Sequence, residues 1–263
     1  MESETPKLQP KPVTWIGPKA VHPARMALSA EEVEARRSPN PGPLEAMFYE
    51  GAGRGVTKWT HYLPIYDRVF APWRGRPVRM LEIGVFQGGS LDLWRRYFGP
   101  DAVLFGVDIE PACAGRVTPP NQVRIGSQDD AAFLHSVVDE MGGLDIVLDD
   151  GSHIGRHQWA SFRALWPRLE AGGMYLIEDL HSSYWPGLEG GIGRPDTGIG
   201  LAKALIDDMH GWYHGHEEVV AAREEIGGIE IADSILIAHK VAPKPFPGRA
   251  LAGTWPKAAA GSG

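Results

Sequence analysis

The chain has 263 residues, with 26 lysines and arginines against 33 aspartates and glutamates and a net charge of −7. That length buries a substantial core, enough for one α/β domain with a small appendage, and the acidic balance without any basic block argues against a phosphate backbone as partner. The single cysteine, Cys113, excludes an intramolecular disulfide and a Cys-based zinc site.

The polar, proline-rich opening stretch has neither the charged-then-apolar pattern of a secretion signal nor the apolar length of a membrane span, so a cytoplasmic protein with no membrane partner is expected. Prolines at 6, 10, 12, 18, 23, 39, 41 and 43 deny regular structure to this region. Only SAEEVEARR (29–37) reads as a short helix, and residues 1–54 are expected to form an irregular arm. KWTHYLPIYDRVF (58–70) then sets Trp59, Tyr62, Ile65, Tyr66 and Val69 at helical spacing, with Pro64 near the first turn.

From residue 78 onward, short runs rich in Val, Ile and Leu alternate with helical stretches, as a parallel sheet flanked by helices requires. Strands are predicted over 78–85, 102–109, 121–126, 144–150 and 172–180, and helices over 90–98, 131–141 and 156–169. The glycine-rich stretch 187–200 is expected to be a mobile lid, and a helix is predicted over 201–214. GGIEIADSILIAHKV (227–241) reads as two strands meeting at Ala232 and Asp233, the last of them antiparallel. The predicted fold is α/β: a Rossmann-like, doubly wound, seven-stranded, mostly parallel sheet with an antiparallel last strand and helices on both faces. The domain is placed at 55–242, with a flexible tail over 243–263.

The first loop, LEIGVFQGGSL, departs from the dinucleotide pattern G-x-G-x-x-G, because Glu82 stands where the first glycine belongs, followed by Gly84, Gly88, Gly89 and Ser90. A carboxylate there repels a pyrophosphate and suits a ligand that presents an ammonium, as the amino-acid part of S-adenosylmethionine does. The alternative is a plain strand-to-helix turn with Ser90 as N-cap. Asp108, at the end of the second predicted strand, is placed to accept hydrogen bonds from ribose hydroxyls. Gln128 is placed to read an adenine edge, and Asp129 or Asp130 to cap the next helix.

LDDGSHIG and IEDLHSSYW put Asp150, Glu178 and Asp179 at the carboxyl ends of neighbouring strands, the edge where open α/β sheets bind ligands. Three ionised carboxylates close together call for a hard divalent cation with oxygen ligands, magnesium first and manganese second. The alternative leaves Asp149 and Asp150 capping a helix and Glu178 and Asp179 solvated. His153, three residues past Asp150, is placed to take a proton from a hydroxyl near neutral pH. Tyr184 and Trp185 either belong to the core or offer faces on which a sugar ring stacks. His210, His214 and His216 lack zinc-site spacing and read as a polar surface turn.

Taken together, LEIGVFQGGSL, FGVDIEP, VLDDGSH and YLIEDLHSSYWP resemble the class I S-adenosylmethionine-dependent methyltransferases. Within that class they look like the metal-dependent sugar O-methyltransferases of macrolide biosynthesis, the group of macrocin O-methyltransferase and mycinamicin VI 2''-O-methyltransferase. The likeness spans about residues 55–241. It implies magnesium on Asp150, Glu178 and Asp179, and His153 as general base. It further implies cofactor contacts from Glu82, Gly84, Gly88, Ser90, Asp108 and Gln128, with Asp150 also facing the cofactor, and an active-site border formed by Lys58, His61 and Tyr62. The implied reaction is direct transfer of the sulfonium methyl to a sugar hydroxyl of a glycosylated natural product, and a homo-oligomer is expected. Mycinamicin-type enzymes carry a large additional N-terminal domain, whereas about 45 mostly irregular residues precede the core here. Two other readings remain: a cephalosporin hydroxylase-like enzyme of β-lactam biosynthesis, and a non-catalytic module that binds S-adenosylmethionine.

Overall fold

A computed structural model of the chain describes residues 28–253 apart from 216, 219, 221 and 251. The predicted arm before residue 28, the tail after 253 and His216 lie outside the described residues. Seven strands form one sheet: β1 (Arg79–Ile83), β2 (Val103–Asp108), β3 (Gln122–Ile125), β4 (Ile146–Asp149), β5 (Met174–Ile177), β6 (Ile226–Ala232) and β7 (Ile235–Lys240). Their order is β3-β2-β1-β4-β5-β7-β6. Strands β1 to β5 run parallel, and β7 runs antiparallel to both β5 and β6. The predicted sheet, including its antiparallel last strand, is the one formed.

The helices are α1 (Ala30–Arg36), α2 (Pro43–Glu50), α3 (Tyr62–Phe70), α4 (Gly89–Phe98), α5 (Ala131–Met141), α6 (Gly155–Leu165) and α7 (Gly198–Met209). Alternate strand residues feed two cores, as the period of two in a strand demands. Leu81, Ile83, Val147, Tyr175 and Ile177 pack with α5, α6 and α7. Met80, Ile146, Leu148, Met174 and Leu176 pack with α3, α4 and Leu44 of α2. The sheet is therefore covered on both faces.

The expected irregular arm over 1–54 is corrected by α2. Pro43 opens this helix at a position where a missing N–H costs nothing. Its first turn is capped from outside, by Asp67 accepting from the amides of Leu44 at 2.8 Å and Glu45 at 3.0 Å. Leu44 is fully buried, so this part of the arm belongs to the core. Helix α3 starts at Tyr62 rather than at 58, which leaves Lys58–His61 as a non-helical lead-in. The glycine-rich stretch is pinned by Gly190 N–H to Trp185 O at 2.9 Å and Gly191 N–H to Ser183 O at 2.8 Å. Among the described residues no helix is long and apolar enough to cross a membrane.

Candidate active site

The chain order reverses between β1 and β4, and the crevice beyond their carboxyl ends is where such sheets take ligands. Two backbone bonds carry the register past the strand ends: Asp150 N–H to Ile83 O at 2.9 Å and Glu178 N–H to Asp149 O at 3.0 Å. Parity then decides which acids face which helices. Glu82 follows Met80, Asp150 follows Ile146 and Leu148, and Glu178 follows Met174 and Leu176, so all three lie on the face covered by α3 and α4.

Glu82 is fully buried. It accepts from Ser90 Oγ at 2.8 Å and Trp94 Nε1 at 3.2 Å. Burial pushes its carboxyl up to about 7, against the pull of the Lys58 charge. Ser90 is thus a partner of Glu82 and not the N-cap, a position held by Gly88 with φ 78°. Gly84 has φ 94°, and a Cβ there would run into the carbonyl oxygen of Asp150. The β1 and β4 tips approach this closely only because residue 84 has no side chain. Gly84→Ala is expected to cost more than about 1 kcal/mol of stability, seen as a lower urea midpoint; an unchanged midpoint would mean the β1–β4 junction has slack.

A cavity of about 200 Å³ opens beside this junction, lined among others by Gly84, Asp108, Ile109, Gln128, Ser152 and His157. Asp108 accepts from the amides of Val85 at 2.9 Å, Phe86 at 3.1 Å and Glu110 at 2.9 Å. Burial raises its carboxyl, yet these amides outweigh burial and hold it below the ordinary value. Gln128, expected at an adenine edge, lines the cavity and is also held by protein partners. Its Nε2 donates to both oxygens of Asp149 at 3.2 Å, and its Oε1 accepts from Ser152 N–H at 2.8 Å. Asp130 caps α5 by accepting from Phe133 N–H at 3.0 Å. Asp149 caps nothing; it is buried and accepts from Ser161 Oγ at 2.7 Å, tying β4 to α6.

His157 went unnoticed in the sequence. Its Nδ1 lies 2.8 Å from Ser152 Oγ and its Nε2 3.6 Å from Asp129 Oδ2. Its place one turn after His153 on a helix start was the only signal.

Two of the three predicted acids share a basic partner that was not expected there. Lys58 Nζ sits 2.6 Å from both Asp150 Oδ2 and Glu178 Oε1, with its side chain only 2% exposed. Burial alone would lower the Lys58 pKa, but Asp150, Glu178 and Glu82 together raise it above the ordinary value, so the ammonium stays charged. Glu178 is pushed up, by burial first and Asp150 second, against Lys58 and Tyr66. Asp179, in left-handed backbone at φ 55°, accepts at Oδ1 from Trp59 Nε1 and Tyr62 OH, both at 2.9 Å.

His153 Nε2 lies 3.8 Å from Asp150 Oδ1 and 3.8 Å from Asp179 Oδ2. These three residues each offer a ligand atom within 4.8 Å of the others. Glu178, expected in that set, has both of its side-chain hydrogen bonds, from Lys58 and Tyr66, on Oε1.

The expected border residues divide. Lys58 and Tyr62 bond the carboxylates directly, while His61 is exposed, its ring 4.8 Å from that of Tyr62. Tyr184 is 47% exposed, which removes it from the core. Trp185 packs edge-on to His181 at 4.8 Å, and His181 in turn to Trp59 at 5.3 Å, an aromatic row beside Asp179. His210 and His214 bond to carbonyls of α7, the surface turn expected.

A doubly wound sheet of this strand order, with its acids at the reversal crevice, is the class I methyltransferase fold. No protein-family model matches the chain. Its curated relatives are sugar O-methyltransferases. It is 43% identical over 182 residues to 8-demethyl-8-(2-methoxy-alpha-L-rhamnosyl)-tetracenomycin-C 3'-O-methyltransferase of Streptomyces olivaceus, covering 65% of this chain and 46% of that protein. It is 37% identical over 210 residues to L-olivosyl-oleandolide 3-O-methyltransferase of Streptomyces antibioticus, covering 74% of this chain and 53% of that protein. Among solved structures, MycE methyltransferase from the mycinamycin pathway, in complex with Mg, SAH and mycinamycin VI, superposes with a TM-score of 0.66 at 33% identity, over 80% of this chain and 56% of that one. The resemblance read from the four motifs holds, and the chain spans about half the length of the relatives it matches.

Proposed function

We propose that the chain is a magnesium-dependent O-methyltransferase that moves a methyl group from S-adenosylmethionine to a sugar hydroxyl of a glycosylated natural product, with His153 as general base. The observation that carries this is the convergence of Asp150, His153 and Asp179 at the mouth of the reversal crevice, in a chain related to enzymes named for that reaction. The donor set fits a hard divalent cation. Asp150 Oδ1 and Asp179 Oδ2 face one another across His153, and oxygen ligands suit magnesium or manganese. Asp150 and Asp179 would hold the ion, with Glu178 as the third ligand that the resemblance implies, and the ion would supply charge that lowers the pKa of a sugar hydroxyl.

The chain's own residues supply the rest. No side chain comes within hydrogen-bond distance of His153 Nε2 among the described residues, its nearest acidic atoms being at 3.8 Å. That nitrogen is open to take the hydroxyl proton, and the imidazolium formed sits between two carboxylates. The cavity lined by Gly84, Asp108 and His157 would hold the adenosyl part of the cofactor, and Glu82 and Gly88 are the contacts that the resemblance implies for its amino-acid end. Bound there, the cofactor would supply the sulfonium methyl, and the side chains of the crevice would orient the acceptor hydroxyl. The acceptor is a small glycosylated molecule, with neither nucleic acid nor membrane as partner, and the chain assembles as a homo-oligomer.

The test is methyl-labelled S-adenosylmethionine with desmethylated, glycosylated macrolides, with and without chelator. Label is expected in the sugar with magnesium present, to be lost on chelation and restored by added magnesium. Undiminished transfer in chelator would reject the metal, and oxygen insertion without label would favour the hydroxylase-like reading.

A further inference from the structure

Each acidic side chain of the cluster is gripped at one oxygen from a single stretch of chain. Lys58 Nζ takes Asp150 Oδ2 and Glu178 Oε1 at 2.6 Å. Tyr66 OH donates to the same Glu178 Oε1. Trp59 Nε1 and Tyr62 OH hold Asp179 Oδ1 at 2.9 Å, and the Asp179 N–H donates back to Tyr62 OH at 3.1 Å. The oxygens that face His153, Asp150 Oδ1 and Asp179 Oδ2, are the other ones.

The gripping residues are themselves fixed. Tyr62 and Tyr66 stand one turn apart on α3 and are fully buried. Tyr66 stacks on Phe70 at 5.4 Å and meets Trp94 edge-on at 5.5 Å, so its hydroxyl cannot wander.

We infer that residues 58–66 act as a clamp on the acidic cluster: Lys58, Trp59, Tyr62 and Tyr66 are positioning residues that hold one oxygen of each carboxylate, and at Asp150 and Asp179 so leave the other facing the place proposed for a divalent cation, Tyr66 acting through Glu178. This rests on the magnesium reading above. A carboxylate free to rotate must be ordered when the ion arrives, and the clamp does that ordering in advance. The neutral donors isolate the effect, because removing Lys58 would also remove a positive charge that repels the ion.

The experiment is a titration of the full chain with Mn²⁺, free ion being followed by electron paramagnetic resonance, without cofactor or acceptor. Tyr62→Phe and Tyr66→Phe are each expected to weaken Mn²⁺ binding by about 10–100-fold. Trp59→Phe, at a half-buried ring, is expected to weaken it several-fold and decides the matter where a tyrosine variant does not fold. Tyr97→Phe is the control, since its hydroxyl reaches only Asp67 O at 3.4 Å, away from the cluster; it should bind Mn²⁺ as the unaltered chain does. Unaltered affinity in the folded clamp variants overturns the clamp alone, as does an equal loss in Tyr97→Phe. No Mn²⁺ binding by the unaltered chain overturns the magnesium reading and the clamp with it.

Discussion

Replacing His153 with asparagine is expected to slow methyl transfer by about 10²–10⁴-fold, the range that a positioned general base contributes. Affinity for S-adenosylhomocysteine should stay within a few-fold, because His153 is not among the residues lining the cavity beside β1. Asparagine is the better replacement for a physical reason. His153 sits at φ 56°, left-handed backbone that asparagine tolerates better than alanine, so lost activity can be assigned to the missing imidazole instead of to a distorted loop. The measurement is single-turnover transfer beside calorimetric binding of S-adenosylhomocysteine. Turnover within tenfold of the unaltered chain would remove His153 from the proton step, and a parallel collapse of cofactor binding would make it a structural residue.

The parts of the fold and site that were readable in the sequence are those fixed by local periodicity. Met80-Leu81-Glu82-Ile83 alternates between two cores, and the strand is found where the alternation lies. Asp150, Glu178 and Asp179 were legible because acids at the ends of apolar runs have nowhere else to go in a parallel sheet. Helix α2 was missed because Pro39 and Pro41 before it and Pro43 at its first position outweighed its short periodic stretch, and its first-turn cap comes from Asp67, more than twenty positions away.

Tyr62 and Tyr66 read as the apolar face of an amphipathic helix, which they are. Their hydroxyls acquire partners only through sheet register, a relation between strands that no local pattern encodes. Gln128 illustrates the opposite case: it lines the cavity, and its amide donates to a buried Asp149 that needs donors, a partner no local pattern shows.

Lys58 has the most to lose by substitution. Its side chain is 2% exposed, and its ammonium lies 2.6 Å from two carboxylates, one of which, on Glu178, belongs to a side chain also 2% exposed. Removing one partner of such a buried pair strands the other charge without water, at a cost of about 3–5 kcal/mol. Lys58→Met, which keeps most of the side chain's length, is therefore expected to lower unfolding free energy by about that amount, measured by urea denaturation without metal. Adding Glu178→Gln should recover a substantial part of the loss, since the amide no longer needs a cation; the double-mutant cycle separates the charge effect from packing. A loss under about 1 kcal/mol, the scale of exposed ion pairs, would place these groups in water. Additive losses in the double variant would show that Lys58 and Glu178 act independently, contrary to the shared bond seen between them.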